Sequence, residues 1–86
     1  MTQIFSNTIP QFTEAMITGL EWQQVVPLQT RNNHYRIEIT WALDRYRISV
    51  RNLLTGVLVH RKAAFYRHTA VATANKFIQQ YERGWQ

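Results

Sequence analysis

The chemistry that this sequence offers lies mainly in its arginines. Ten basic residues, eight of them arginines, outnumber five carboxylates in the 86 residues and give a net charge of +5. Residues 1–30 contain only Glu14 and Glu21 as charged groups, so all ten basic residues lie from Arg31 onward. The guanidinium group binds phosphate or carboxylate through two parallel hydrogen bonds. The basic part of the chain therefore predicts a polyanionic partner, DNA or RNA in the first place.

Signals for catalysis and for metal binding are missing from the same sequence. The histidines His34, His60 and His68 do not stand at a recognised ligand spacing, and the chain has no cysteine. It also lacks a nucleophile motif, a glycine-rich phosphate loop and paired acid–base residues. We therefore predict a protein that is not an enzyme and that needs neither a metal ion nor a cofactor.

Runs of alternating residues predict the elements that position the arginines. Apolar and polar side chains alternate over residues 34–43, and after a turn at Asp44 they alternate again over residues 45–51. A second turn at residues 52–56, whose glycine can take a positive φ, leads into a third run over residues 57–64. Together these runs predict a three-stranded antiparallel β-meander.

Helices are predicted on both sides of this meander. A C-terminal helix runs from Thr69, its N-cap, to Arg83, and its apolar stripe covers one face of the sheet. A shorter N-terminal helix begins after Thr8. Residues 20–30 are interpreted as an irregular or edge segment, because Pro27 cannot donate to a central sheet ladder. The predicted fold class is α+β, a three-stranded antiparallel meander packed against a C-terminal α-helix with a short N-terminal helix.

The chain is predicted to be one small domain, residues 1–86. Residues 1–30 supply the N-terminal helix and the irregular segment, and residues 34–83 supply the sheet-plus-helix core. A composition of 45% hydrophobic and 17% charged residues is typical of a globular domain rather than a disordered tail. No signal peptide or membrane-spanning stretch is visible, and no cysteine is present to form disulfides, so we expect a soluble cytoplasmic protein.

The alternation predicts an arginine-rich face opposite the helix. Glu38 is expected to form a cross-strand ion pair there with Arg45 or Arg47. The phase of the third strand stays open, since either Lys62 with His60, or Arg61, can face outward. A competing interpretation is that these arginines only solvate the sheet and protect its edges. The predicted nucleic-acid-binding residues are Arg36, Arg45, Arg47, Arg51 and Lys62.

This layout resembles, in outline, sheet-reading DNA-binding domains such as those of integrase arms. The resemblance spans about residues 35–81 and depends on element order and outward arginines, with residues 65–77 at the strand-to-helix junction. It implies that the uncovered sheet face lies against DNA. The predicted element order also resembles that of double-stranded-RNA-binding domains, although their lysine cluster is missing at His68–Val71.

A different kind of partner is suggested by the tryptophans. Trp22 and Trp85 have no clear place in the predicted core, and exposed aromatic residues often anchor protein interfaces. We therefore keep a second hypothesis, a protein–protein adaptor or homodimer that uses Trp22 and Trp85. The alternative is that the N-terminal segment folds back and buries such side chains.

Overall fold

The protein's structure, a computed structural model, describes residues 9–83. Within them the strands form one antiparallel sheet in the order β1-β2-β3-β4. The predicted α+β class, with a C-terminal helix and a short N-terminal one, is confirmed, but the sheet has four strands rather than three. The elements are α1 Glu14–Ile17, β1 Val25–Gln29, β2 Tyr35–Trp41, β3 Tyr46–Asn52, β4 Leu58–Ala64 and α2 Arg67–Arg83.

The additional strand is β1, within the segment that was predicted to be irregular or an edge. Val26 pairs with Ile39 and Leu28 pairs with Ile37, so β1 extends the apolar face of the sheet. Pro27 is exposed and lies on the outermost strand. A proline is tolerated there because an edge strand needs ladder hydrogen bonds on one side only. Pro27 therefore marks the sheet edge and does not end the sheet.

Helix α2 seals one face of the sheet by contacting β2, β3 and β4. Beneath it the side chains of Ile37, Ile39, Ile48 and Val50 have no exposed surface, as the alternation predicted. The helix approaches closely because two of its inward residues are alanines. Those inward residues are Ala70, Ala74, Phe77 and Ile78, all buried.

Both helix starts differ from the predicted ones. Helix α2 begins at Arg67, two residues before the predicted N-cap Thr69, because the Ala70 N–H already donates to the Tyr66 carbonyl at 2.9 Å. The strand thus passes into the helix with almost no connecting loop. Helix α1 is a single turn preceded by Thr13, which has extended φ and ψ. The predicted cap Thr8 lies outside the described residues.

The segment before the sheet is attached to α2 by a reciprocal pair of hydrogen bonds. The Phe12 N–H donates to Asn75 Oδ1 at 2.7 Å, and Asn75 Nδ2 donates to the Phe12 carbonyl at 3.1 Å. Phe12 and Ile17 are buried in the common core. This segment therefore packs on the core through Phe12 and Ile17, but the folding back that was expected to bury Trp22 does not do so, because Trp22 is 56% exposed.

The turn between β1 and β2 is attached to the C-terminal end of α2 by a buried carboxylate. Glu82 is 3% exposed and accepts hydrogen bonds from the Arg31 backbone N–H at 2.8 Å and from Arg31 Nε at 3.1 Å. A buried carboxylate requires such donors, since desolvation without them is costly. Arg31 therefore has a structural role and does not belong to the binding face.

We expect Glu82→Ala to lower the free energy of unfolding by about 1–3 kcal/mol, because it removes the acceptor of the Arg31 N–H. Gln79→Ala is the matched control, since Gln79 is an exposed residue of the same helix, and it should change stability by less than about 0.5 kcal/mol. Urea denaturation of the full chain measures both. Equal, small effects would contradict a structural role for the Arg31–Glu82 pair.

Candidate nucleic-acid interface

The sheet face opposite α2, called here the open face, consists of the strand residues that alternate with the buried ones. Strand geometry sends successive side chains to opposite sides, and the pairing registers align these residues across the sheet. None of them is buried. The open face comprises Val25, Pro27 and Gln29 of β1, Arg36, Glu38 and Thr40 of β2, Arg47, Ser49 and Arg51 of β3, and Leu58, Arg61 and Ala63 of β4.

Positive charge on the open face is concentrated away from β1. Arg36 and Arg51 lie directly opposite each other across β2 and β3, an arrangement that is unfavourable for like charges. Each has an acceptor within the chain: Arg36 Nη1 lies 3.6 Å from Glu38 Oε2, and Arg51 Nη1 donates to the Gly56 carbonyl at 3.0 Å. These two arginines are thus held in place and partly compensated.

The prediction that Glu38 forms a cross-strand ion pair with Arg45 or Arg47 is wrong. Glu38 pairs across the sheet with Ser49 rather than with Arg47 or Arg45, and its carboxylate lies near Arg36, two residues away on the same strand. The prediction failed because the turn spans residues 42–45, so that Trp41 pairs with Tyr46, Arg47 falls opposite Thr40 and Arg45 lies outside the strand pairing. Arg47, which lies opposite Thr40, keeps no carboxylate within ion-pair distance among residues 9–83.

Arg45 belongs to the turn between β2 and β3 rather than to a strand. The turn is closed by the hydrogen bond from the Ala42 N–H to the Arg45 carbonyl at 2.8 Å. At its tip Leu43 takes a φ of +66°, and the Asp44 N–H donates to the Ala42 carbonyl at 2.7 Å. A bulky residue in that left-handed region is strained. The strained turn fixes the direction in which Arg45 leaves the backbone.

The Arg45 guanidinium is bound by a carboxylate and an aromatic ring. Its Nε and Nη2 donate to the two Asp44 carboxylate oxygens at 3.1 and 3.0 Å. Its Cζ lies 5.2 Å from the centre of the Phe65 ring, within the range of a cation–π contact. The hydrogen bonds from Arg45 lower the pKa of Asp44, and Asp44 in turn raises the pKa of Arg45. The prediction that the chain turns at Asp44 is confirmed.

A shallow depression on this side of the sheet gathers four cationic side chains. Its volume is about 280 Å³, and no carboxylate is among its lining residues. Within residues 9–83, no hydrogen bond or ion pair occupies the guanidinium groups of Arg47 and Arg61, although Arg47 acts on Asp44 at longer range. The lining residues are Arg45, Arg47, Arg61, Lys62 and Ala63.

The pairing of β4 settles the phase that the sequence left open. Arg61 pairs with Ser49 and so lies on the open face, whereas Lys62 pairs with Ile48 on the helix side. Lys62 is nevertheless exposed and contributes to the lining of the depression, because β4 is an edge strand. Arg61 was not among the predicted binding residues, although it is the cation that β4 places on the open face. A register shift between Val50 and Arg51 changes the phase along β4, and no sequence signal marks it.

Two of the histidines, His60 and His68, pack against aromatic rings. The His60 ring lies 4.6 Å from the Phe77 ring on the helix side, and His68 stacks with Tyr66 at 5.9 Å. In the part of the chain that the structure describes, no group of three His, Asp or Glu side chains is arranged to hold a metal ion. The helices among residues 9–83 are also too short or too polar to cross a membrane.

Trp22, one of the two predicted partner-binding tryptophans, is not among the residues that line the depression. Trp22 is 56% exposed, and its backbone forms an isolated parallel bridge with Trp41 near the β1 side of the sheet. Trp85 lies outside the described residues. The fold-back of the N-terminal segment therefore leaves Trp22 in solvent.

Comparison with known proteins found no family model, no curated protein and no solved structure that matches this chain significantly. The outline resemblance to sheet-reading DNA-binding domains concerned a three-stranded meander with a covering helix, and the resemblance to double-stranded-RNA-binding domains concerned three strands between two helices. The fourth strand β1 departs from both outlines.

We expect Arg45→Gln to raise the pKa of Asp44 toward its ordinary value, because the substitution removes the two guanidinium hydrogen bonds. The pair stabilises the fold at pH values above the ordinary pKa of 3.8, and this contribution is lost as the pH falls through the lowered pKa. A carboxyl-carbon NMR titration measures the midpoint. Arg51→Gln is the control and should leave it unchanged, whereas an unchanged midpoint in Arg45→Gln would refute the pairing.

Proposed function

We propose that this protein is a non-enzymatic nucleic-acid-binding module whose open face contacts the sugar–phosphate backbone. The observation that carries the proposal is the depression lined by Arg45, Arg47, Arg61 and Lys62, which has no carboxylate in its lining. Polyanions bind such surfaces because each neutralised phosphate releases counterions. The contribution of Arg36 and Arg51 is secondary, since both already interact with acceptors in the chain.

The spacing of the cations supports phosphate as the bound group. Arg47 lies opposite Ala63 and Arg61 lies opposite Ser49, so the two arginines are diagonal neighbours, about 7–8 Å apart at the backbone. Long side chains at that separation can converge on one anion, and the guanidinium fork donates in pairs to phosphate oxygens. Arg45 adds a third guanidinium that Asp44 and Phe65 hold in place.

The start of α2 supports the same ligand chemistry. Its first turn contains Arg67 and no acidic residue, although the positive end of the helix dipole favours anions there. Arg67 therefore lies where the helix dipole disfavours a cation. A bound polyanion offsets this cost, whereas an unliganded protein has no benefit from it.

The absence of catalytic motifs in the sequence supports a binding role rather than catalysis. A cytoplasmic setting is part of the proposal, because a chain without cysteine gains nothing from an oxidising compartment.

We expect the double substitution Arg47→Ala with Arg61→Ala to weaken binding of labelled DNA by about tenfold or more at low salt, because two charge-assisted contacts are lost. The slope of log affinity against log salt should decrease in magnitude by about 1.4–1.8. Fluorescence anisotropy of the full chain at several salt concentrations measures both quantities.

The matched control is Lys76→Ala with Arg83→Ala, which removes the same charge from exposed positions of α2. It should retain nearly the affinity of the unaltered protein. An equal loss in both double variants would mean that net charge, not the open face, determines binding. No binding at low salt would refute the proposed function.

A second candidate is a protein-binding role, and the exposure of Trp22 favours it. Trp22 is 56% exposed, and Val25 and Met16 are 47% and 37% exposed; exposed aromatic residues and methionines often anchor protein interfaces. The partner is then a second copy of the chain or another protein. Light scattering over a range of concentrations should detect self-association that Trp22→Ser abolishes and that salt hardly changes. A monomer at every concentration would exclude the homodimer.

A further inference from the structure

Two exposed aromatic residues follow the lining residue Ala63 along the chain, and the ring of one of them, Phe65, contacts the lining residue Arg45. Phe65 and Tyr66, which connect β4 to α2, are 62% and 67% exposed. Phenylalanine is among the residues most often buried, so an exposed phenylalanine at the rim of a cationic depression requires an explanation.

Core packing does not explain this exposure. The core at this end of the sheet is completed by Ala64 and Ala70, which lie on either side of the pair and are buried. Both rings are nevertheless held by neighbours: Phe65 by the Arg45 guanidinium at 5.2 Å, and Tyr66 by the His68 ring at 5.9 Å and 22°. The two aromatic faces are therefore oriented before any ligand arrives.

The distribution of charge across the open face indicates whether this face can contact one nucleic-acid backbone or two. Its unpaired cations lie along β3 and β4, whereas β1 contributes the uncharged Val25, Pro27 and Gln29. A duplex in which the sheet enters a groove presents phosphates on both sides of that groove. Because the open face is basic only on its β3 and β4 side, its charge is complementary to one sugar–phosphate backbone rather than two.

We propose, on the basis of the proposed nucleic-acid function, that the ligand is single-stranded nucleic acid. A phosphate lies in the depression among Arg45, Arg47 and Arg61, and an adjacent base stacks on Phe65 or Tyr66. Stacking on aromatic side chains requires an unpaired base, because the bases of a duplex already stack on one another. The depression, at about 280 Å³, lies below the usual range for pockets that enclose a whole small molecule, as expected for one group of a longer ligand.

The test compares labelled oligothymidine of about 12 nucleotides, within the usual range of single-strand site sizes, with a duplex of the same length. The full chain should bind the single strand about tenfold more tightly or better. Phe65→Leu with Tyr66→Leu should weaken single-strand binding by about fivefold or more. The salt slope should not change, because no phosphate contact is lost. Binding of the duplex should also stay the same.

Leu54→Ala is the control for loss of exposed apolar surface, since Leu54 is 74% exposed in the turn at the opposite end of β3 and β4; it should leave both affinities unchanged. Thermal unfolding checks the fold of each variant. As a second measurement, Phe65→Trp should gain an emission signal that oligothymidine quenches by stacking.

The outcomes separate the two proposals. Equal affinity for single strand and duplex, with no effect of the leucine variant and no quenching, overturns the single-strand inference and leaves nucleic-acid binding in place. Failure to bind either probe at low salt overturns both. Loss of single-strand affinity in the aromatic variant, with an intact salt slope, supports the stacking contact.

Discussion

The structure depends on one constraint, the two-residue period of strands that are covered on a single face. Because successive side chains of a strand point to opposite sides, sealing one side with α2 forces the other side into solvent. In β2 and β3 the sealed positions are isoleucine or valine with no exposed surface, and the alternate positions are mostly arginine or other polar residues. Core packing and the cationic face are therefore two results of the same pattern.

That constraint also creates an electrostatic cost, which the chain offsets only in part. Arg36 and Arg51 face each other and are compensated by Glu38 and the Gly56 carbonyl. Arg45 is compensated by Asp44 in a strained turn. Arg47 and Arg61 have no such acceptor among residues 9–83, and they line one depression with Arg45, whose guanidinium contacts the Phe65 ring. Exposed cations and exposed aromatic surface at one place are the physical basis of the proposed nucleic-acid binding.

Structural features that depend on local periodicity could be predicted from the sequence. Features that depend on the register between strands could not. Alternation over residues 34–51 identified β2, β3 and the buried set, and the apolar stripe of α2 identified its packing face. It did not identify β1, whose signal is weakened by Pro27, or the shift in β4 that exchanges Lys62 for Arg61 on the open face. It also did not reveal the exposure of Phe65, because whether a junction residue is covered depends on how closely α2 follows β4.

The most direct test of this account is an NMR map of the full chain titrated with unlabelled oligothymidine at low salt. The account predicts that the largest shifts occur at the guanidinium groups of Arg47 and Arg61 and at the Phe65 ring, with small shifts on the exposed side of α2. Shifts that are largest on α2 or around Trp22, or none at all, would contradict it, since the side of the sheet left open by the helix would then not be the side that binds.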